Sequence, residues 1–303
     1  MSAVLRPTPR ATGTRADLKA GAKAGAKAGA RPTSPAVIEN NLLAALPRKD
    51  YQGIAADLQT VVLVYGDILY EPGEVLKHVY FPNNALVSLL TVVDGHLALE
   101  VGLIGREGIL GVPLILGSRI SPVRALVQGG GAAMRMDAAR FLHHFRLSPA
   151  LQKESYRYTF ALMAQISQTA GCNRFHLLEQ RLARWLLMTQ DRVKSAQFRM
   201  THEFLGHMLG VRRVGVTKAA RNLQECGLIR YARGDISILD RAGLEAASCR
   251  CYSIVRDMNE PSRTHNGGNH NGVNHNRVNH NGGNHNGGNH NDAFPGMSSP
   301  RQK

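Results

Sequence analysis

The stretch that decides the fold runs from Met200 to Arg233 and reads MTHEFLGHMLGVRRVGVTKAARNLQECGLIRYAR. Thr201 followed by the acidic Glu203 is a typical helix start. The threonine hydroxyl accepts a hydrogen bond from a free backbone N–H group, and an early carboxylate suits the helix dipole. Gly210 predicts a sharp turn, because glycine adopts the left-handed backbone that such an exit needs. The pattern therefore predicts two short helices joined by a tight turn.

The second helix of this pair should run from about Arg212 to Glu225 and have two unlike faces. Apolar and small residues at helical spacing should face inward, namely Val216, Ala219, Ala220 and Leu223. The other face is basic and carries hydroxyl groups, which suits reading of the DNA major groove. Arginine pairs with guanine through two hydrogen bonds, and lysine or threonine holds a phosphate. The predicted DNA-binding residues are Thr201, Arg212, Arg213, Val216, Thr217, Lys218, Arg221 and Arg233.

A short hairpin should follow the two helices. Gly227 ends the second helix, and the apolar runs 228–231 and 236–239 flank the turn residues Arg233-Gly234-Asp235. A helix-turn-helix with a basic hairpin is a winged helix. Turn, charge and hairpin together favour DNA binding over the alternative, an amphipathic helix pair with a merely solvated cationic face.

The composition points to a polyanionic partner. The chain has 303 residues, enough for about two domains, and 43% of them are hydrophobic, so a substantial core can form. The net charge is +15 and the pI about 10.1. No apolar run approaches the ~20 residues of a membrane span, and no secretory signal is recognisable. With four cysteines and no CxxC pair, the sequence predicts a cytoplasmic protein without a membrane partner.

Both ends of the chain are of low complexity. Residues 1–36 form a basic arm whose KAGAKAGAKAGAR repeat contains a glycine in each unit, so we expect disorder. This arm is either a solubilising tail or a nonspecific phosphate-binding segment. Residues 257–303 form an Asn/Gly/His-rich tail that is also predicted to be disordered. Repeat expansion explains its regularly spaced histidines better than metal capture does.

Residues 37–147 have the texture of an antiparallel β-roll, with a helical start that is broken at Pro47. Short apolar runs alternate there with Gly, Pro, Asn and Asp. The glycines of segment 100–113 most simply turn corners of the roll. The alternative is that their amides hold the anionic part of a small-molecule effector. The tentative effector pocket consists of Gly105, Glu107, Gly108, Gly111, Arg119 and Arg124.

A long helix, residues 148–175, should begin at Ser148-Pro149, a capping residue followed by the proline favoured at the first helical position. It is apolar on more than one face and therefore needs more than one partner. The predicted dimer contacts are Leu151, Tyr158 and Leu162, while Phe160, Met163 and Ile166 lie elsewhere on the helix. A helix fully buried within one chain is the alternative. A two-fold dimer would present two reading helices to half-sites about one DNA turn apart.

Four stretches in order resemble the Crp/Fnr superfamily of bacterial transcription regulators, namely 79–82, 101–108, 172–187 and 204–229. The resemblance covers roughly residues 40–252. It implies an α+β fold in which a cyclic-nucleotide-binding-like roll (37–147) is followed by a dimerisation helix (148–175) and a winged helix-turn-helix (176–256). It also implies DNA contacts by Arg212, Arg213, Thr217 and Lys218, and RNA polymerase as a further partner.

The sequence departs from the effector-binding members that it resembles. Cyclic-AMP-responsive members carry Gly-Glu at the phosphate loop and then Arg-Ser, where this chain has Gly111-Val112 and Arg119-Ile120. These differences argue against cyclic AMP. Iron–sulfur members use cysteines near the N-terminus, whereas the first cysteine here is Cys172, so no iron–sulfur cluster is expected. A haem ligand among the roll histidines, His78 and His96, is a further alternative, with a structural role favoured for both.

The sequence thus predicts a homodimeric, sequence-specific DNA-binding transcription regulator with an unknown effector, and not an enzyme. It predicts neither catalytic residues nor a metal site. One alternative is a cupin-like metal enzyme, for which the roll offers His78, His96, Glu100 and Glu107 as ligands. Another is a nonspecific nucleic-acid binder acting through the basic arm. The Cys249-Arg250-Cys251 segment is interpreted as incidental, with oxidant sensing as the alternative.

Overall fold

The computed structural model describes residues 38–93, 97–193 and 195–259. The predicted basic arm, almost all of the predicted histidine-rich tail and His96 lie outside these ranges.

Two short helices open the described chain, α1 (Asn41–Ala44) and α2 (Arg48–Ala55), with the predicted break at Pro47 between them. Asn40 fastens this segment to the roll. Its Oδ1 accepts from the Leu43 backbone N–H at 3.1 Å, which caps α1, and its Nδ2 donates to the Pro82 and Gly108 carbonyls at 2.8 and 2.9 Å.

The predicted antiparallel roll is present as two sheets that enclose an apolar core. The strand orders are β1-β7-β3 and β2-β6-β4-β5, and every pairing is antiparallel. A short helix, α3 (Val112–Ile115), lies between the fifth and sixth strands and was not predicted. The strands are β1 (Gln59–Leu63), β2 (Ile68–Tyr70), β3 (His78–Pro82), β4 (Leu86–Val93), β5 (Leu97–Ile104), β6 (Arg124–Gly129) and β7 (Gly131–Asp137).

Two capped helices follow the roll, α4 (Ala138–Leu147) and α5 (Pro149–Phe175). Ser148 Oγ accepts from the Leu151 backbone N–H at 3.1 Å, so the predicted start of the long helix is confirmed. The amide of Gln165 then pairs with both backbone groups of Leu103 in β5, at 3.0 and 3.1 Å. These two bonds fix α5 lengthwise against the sheet.

The prediction of the dimer contacts is wrong for this helix. Leu151, Tyr158 and Leu162 are all buried in the roll's own core, so they are not available to a second subunit. Phe160 and Met163 lie on another side of α5 and are 67% and 59% exposed. The helix therefore has two apolar faces, as its sequence indicates, but the roll covers the one that was assigned to the partner.

The predicted helix pair and hairpin are confirmed in the C-terminal part, which has its own apolar core. A third strand, β8, pairs with β10 to complete a small antiparallel sheet of order β8-β10-β9. The elements are α6 (Leu178–Val193), β8 (Gln197–Arg199), α7 (His202–Leu209), α8 (Arg213–Glu225), β9 (Ile229–Ala232), β10 (Asp235–Ile238), α9 (Arg241–Ala247) and α10 (Cys251–Asn259). No described helix combines the length and the apolar character that crossing a membrane requires.

Candidate nucleic-acid interface

The turn between α7 and α8 has the geometry that its residues predict. Thr201 Oγ1 accepts from the Phe204 backbone N–H at 3.1 Å and caps the start of α7. Gly210 ends that helix in the left-handed conformation, with φ 63° and ψ 39°. A side chain at this position would be strained, and a Cβ would stand 2.7 Å from Leu99 Cδ1 of the roll. The turn therefore sets the entry of α8 and touches β5.

The inner face of α8 is apolar, as predicted. Val216, Ala219, Ala220 and Leu223 are all buried in the C-terminal core. Val216 is 0% exposed, so its prediction as a DNA contact is wrong. Its side chain is needed for packing within the domain, and no groove of DNA can reach it.

The outer face of α8 is cationic and solvent-exposed. Arg212, Arg213 and Lys218 form no ion pair with any carboxylate of the described residues. Arg221 differs, because its Nε lies 2.7 Å from Glu225 Oε1 and its charge is partly offset. The cations that are available to a ligand therefore lie in the N-terminal half of α8.

Val214 belongs to this outer face and was missed in the sequence analysis. It is 72% exposed, and it precedes Thr217 and Lys218 by three and four residues, the spacing that puts helical residues on one side. An exposed apolar group among cations suits contact with a thymine methyl group. The same periodicity that placed Val216 inside identifies Val214 as outside.

A chain of side-chain contacts ties α7, α8 and the hairpin together. The His202 ring stacks on Tyr231, with centroids 4.0 Å apart, and its Nδ1 lies 2.9 Å from Thr217 Oγ1. Because the Thr217 hydroxyl donates its proton to the Arg213 carbonyl at 3.1 Å, it accepts from His202 Nδ1. Burial, and then the charge of Arg213, lowers the pKa of His202. The neutral imidazole thus holds Thr217 in a fixed orientation.

The hairpin tip lies beside this network. Arg233 has φ 53° and Gly234 φ 89°, so the turn uses two consecutive left-handed residues. A cleft between α7, α8 and the hairpin contains three of the predicted DNA-binding residues, Thr201, Arg213 and Arg233. Its lining is completed by His202, Glu203, Tyr231 and Gly234. The fold thus brings the helix and wing cations to one surface.

The predicted effector pocket is wrong for three of its residues, which pack the roll against α5 and α6. Glu107 Oε1 accepts from Arg192 Nε at 2.7 Å in a buried ion pair. A Cβ on Gly105 would lie 2.9 Å from Arg192 Cβ, and one on Gly108 would overlap the Tyr158 ring at 1.9 Å. These glycines allow a close approach of elements, so they are not the lining of a ligand site.

The remaining three effector residues are spread over the roll. Gly111 turns the corner before α3 with φ 124°, which agrees with the simpler interpretation of the glycine-rich segment. Arg119 is exposed, and Arg124 forms an ion pair with Glu71 at 2.8 Å. Arg124 also lines a mainly apolar cleft of about 740 Å³ between the roll sheet and α7. An effector role for these three residues stays a prediction.

The cupin-like alternative lacks a converging set of ligands among the described residues. Glu100 accepts hydrogen bonds from Ser88 Oγ at 2.7 Å and from Trp185 Nε1 at 2.8 Å, and Glu107 forms an ion pair with Arg192. His78 makes an edge contact with the Tyr80 ring at 6.2 Å. Among the described residues, the side chains whose metal-binding atoms lie close enough to share an ion are outside the roll.

This chain is similar to known proteins both in its C-terminal domain and in the arrangement of roll, long helix and winged helix-turn-helix. Residues 180–247 match the family described as the Crp-like helix-turn-helix domain. FixK2 from Bradyrhizobium japonicum superposes with a TM-score of 0.56 at 12% identity, over 63% of this chain and 98% of that one. A CRP/FNR family regulator of Thermus thermophilus superposes with a TM-score of 0.52 at 22% identity, over 63% of this chain and 98% of that one. The chain has the Crp/Fnr fold.

A third Crp/Fnr-fold structure, the c-di-GMP-responsive global regulator CLP of Xanthomonas campestris, gives a TM-score of 0.51 at 16% identity, over 64% of this chain and 100% of that one. Comparison with curated proteins gave no match. The predicted resemblance and the α+β class, with a roll, a long helix and a winged helix-turn-helix in that order, are confirmed. The predicted boundaries of the functional segments stay predictions.

Proposed function

We propose that this Crp/Fnr-fold chain is a sequence-specific DNA-binding transcription regulator, and not an enzyme, that acts as a homodimer in the cytoplasm. One observation carries the proposal. Arg212, Arg213 and Lys218 are exposed and unpaired among the described residues, on a helix whose opposite face is buried. These cations are therefore available to phosphates and bases, while the buried face holds the helix in the domain.

In this proposal α8 enters the major groove with its N-terminal residues foremost, which is the docking geometry of helix-turn-helix proteins. Arg213 pairs with a guanine, Lys218 holds a phosphate and Val214 meets a thymine methyl group. Arg233, at the hairpin tip, reaches the adjacent sugar–phosphate backbone. Thr217 acts through the contacts that orient it, because His202 and the Arg213 carbonyl already engage its hydroxyl.

The homodimer is supported by the outer face of α5. Exposed Tyr156, Phe160 and Met163 follow one another at intervals of four and three residues, the spacing of a coiled-coil seam. Two α5 helices joined along this seam would bury aromatic surface that is otherwise in water. The two-fold axis would then present two copies of α8 to successive half-sites, about 34 Å apart along DNA.

The signal that the roll senses is unassigned, and contact with RNA polymerase stays a prediction without an assigned surface. The described side chains supply no recognisable set of nucleotide contacts. The differences at Gly111-Val112 and Arg119-Ile120 continue to argue against cyclic AMP.

The deciding experiment begins with selection of bound genomic fragments by the purified full-length chain and footprinting of the resulting operator. Arg213→Ala should then weaken operator binding by about 1–3 kcal/mol, because a bidentate base contact is lost. Lys218→Ala should reduce the slope of log affinity against log salt by about one, because one phosphate contact is lost.

Arg48→Ala is the matched control, since Arg48 is an exposed arginine of α2 in the roll. It should leave the footprint and the affinity unchanged. If Arg213→Ala and Lys218→Ala both bind the operator as the wild-type chain does, α8 is not the reading helix. If no fragment is preferred over random DNA, the chain is a nonspecific binder instead.

A further inference from the structure

Four side chains with metal-binding atoms meet where α5 ends and α10 begins. They are Cys172, His176, Cys249 and Cys251, and their ligand atoms all lie within 4.8 Å of one another. Cys172 Sγ is 3.5 Å from Cys249 Sγ, and Cys251 Sγ is 3.5 Å from His176 Nδ1. The three cysteines are buried and form a small cluster of their own. The group is separate from the DNA-reading face and from the roll.

Two local structures bring the four groups together. Cys172 and His176 stand four residues apart at the end of α5, and the His176 backbone N–H donates to the Cys172 carbonyl at 3.2 Å. Cys251 is the first residue of α10, and Cys249 precedes it by two. The Tyr252 backbone N–H donates to the Cys249 carbonyl at 3.0 Å, which fixes that turn. Both pairs of ligands therefore rest on hydrogen-bonded backbone.

The spacing suits one small tetrahedral ion. Zinc–sulfur bonds of ~2.3 Å and zinc–nitrogen bonds of ~2.0–2.1 Å place two sulfurs ~3.8 Å apart, and a sulfur and a nitrogen ~3.6 Å apart. In the structure the Cys172–Cys249 sulfur separation and the Cys251–His176 sulfur–nitrogen separation are both 3.5 Å, close to these two distances. An iron–sulfur cluster distributes its ligands over different iron atoms, which holds them further apart. Three thiolates and one imidazole form a closed Zn²⁺ set with no open position.

Two buried arginines lie beside the cluster. Arg184 also interacts electrostatically with the buried Glu100, whereas the thiols of Cys172 and Cys249 are the acidic groups that act on Arg181. Arg181 and Arg184 of α6 are buried, and neither forms an ion pair with a described carboxylate. Their hydrogen-bond partners are neutral, since Arg181 Nη2 donates to Asn173 Oδ1 and Arg184 Nη2 to Thr169 Oγ1, both at 2.8 Å. The Nε atom of each has no partner in the described chain. Burial of such cations is costly without an anion nearby.

We propose that Cys172, His176, Cys249 and Cys251 bind one Zn²⁺ in a structural site. Zn²⁺ with three thiolates has a net charge of −1, which offsets the positive charge of a neighbouring guanidinium. Three neutral thiols carry no charge and cannot offset it. Both Arg181 and Arg184 interact electrostatically with thiols of the cluster. The ion would fasten α10 to the end of α5. Arg181 also donates to the Leu209 carbonyl at the end of α7, so the site borders the turn that leads into α8.

Cobalt substitution tests the site in the full-length chain. Co²⁺ bound by thiolates in a tetrahedron gives a near-ultraviolet charge-transfer band and intense visible bands. The histidine-rich segment 265–290 contains no cysteine and cannot give the charge-transfer band. We expect these bands in the wild-type chain and their loss in Cys249→Ser and Cys251→Ser. Zinc content as purified should fall by about one ion per chain in both variants.

Cys226→Ser is the matched control, because Cys226 is an exposed cysteine at the end of α8. It should keep the bands and the zinc. His176→Cys tests the site even if the serine variants do not fold. This variant should retain the ion, and its charge-transfer band should shift because a fourth thiolate binds the metal. An unchanged spectrum in both serine variants overturns the proposal. So does a Cys172–Cys249 disulfide in protein purified under reducing conditions, which would make the pair a redox couple.

Discussion

Glu100 is a buried carboxyl group that joins the roll to α6. Its Oε1 accepts from the indole N–H of Trp185 at 2.8 Å, and its Oε2 lies 2.7 Å from Ser88 Oγ. Burial raises the pKa of Glu100 to about 7, against an ordinary value of 4.5. The hydrogen bonds from Ser88 and Trp185 oppose this rise but do not cancel it. The folded chain therefore holds a proton here that the unfolded chain releases above pH 4.5.

This proton makes stability depend on pH in a defined direction. Below the unfolded pKa of 4.5 both states are protonated and the contribution is fully present, and it is lost as the pH rises through about 7. The wild-type free energy of unfolding should thus fall by up to roughly 3 kcal/mol relative to that of Glu100→Gln between about pH 5 and about pH 8. Denaturant unfolding at the two values measures the difference.

Trp185 provides an independent readout of the same group. It is the single tryptophan of the chain, and its indole N–H is bonded to Glu100. Its emission should titrate with a midpoint near the pKa of about 7, and Glu100→Gln should abolish that transition. A flat wild-type titration between about pH 5 and about pH 9 would show that Glu100 is ionised throughout.

At the scale of elements, α5 has two apolar faces with different roles. One face carries Tyr158 and Leu162 into the roll core, and Gln165 fixes its register on β5. The other exposes Phe160 and Met163. An exposed aromatic stripe on a long helix is a typical oligomer contact. The dimer proposed here therefore depends on a face that the roll leaves uncovered.

Phe160→Glu should convert the chain to a monomer, because a carboxylate at the seam would face its symmetry mate and lose its hydration. Analytical ultracentrifugation should show the change in mass, and operator affinity should fall because one α8 then binds alone. Leu116→Glu, at an exposed apolar residue of the roll, is the matched control and should leave the mass unchanged. A Phe160→Glu chain that remains dimeric would place the dimer contact elsewhere.

At the scale of the whole molecule, α6 links the winged helix-turn-helix domain to the roll through buried polar contacts. Trp185 reaches Glu100, and Arg192 Nε forms the 2.7 Å ion pair with Glu107. Arg192 Nη1 also donates to the Met188 carbonyl of its own helix at 2.9 Å. Each of these contacts has a preferred distance and direction, so together they specify one position of α6 against the roll.

Glu107→Gln should destabilise the chain by about 3–5 kcal/mol, because it leaves the charge of Arg192 buried without a partner. Glu225→Gln removes the carboxylate of another 2.7 Å ion pair, but Glu225 and Arg221 are exposed. That control should cost less than about 1 kcal/mol. Chemical denaturation of the three proteins measures both effects, and equal losses in the two variants would contradict the assigned role of the buried pair.

Local sequence signals accounted for most of the elements. Caps such as Ser148, the break at Pro47 and the left-handed Gly210 depend on neighbouring residues alone, so they could be predicted. Helical periodicity likewise separated the buried Val216 from the outer face of α8. Taking Val216 as a DNA contact went against that periodicity, and Val214 was overlooked although the same rule places it outside.

The sequence by itself determined the order of roll, long helix and winged helix-turn-helix, because hydrophobic period, capping and turn chemistry act over a few residues. Only the tertiary structure decided which apolar face of α5 the roll covers, since both faces look alike in sequence. It alone paired Glu107 with Arg192 and brought Cys172 to Cys249, across 85 and 77 residues of chain. Contacts of that range arise when whole elements pack, and no local pattern records them.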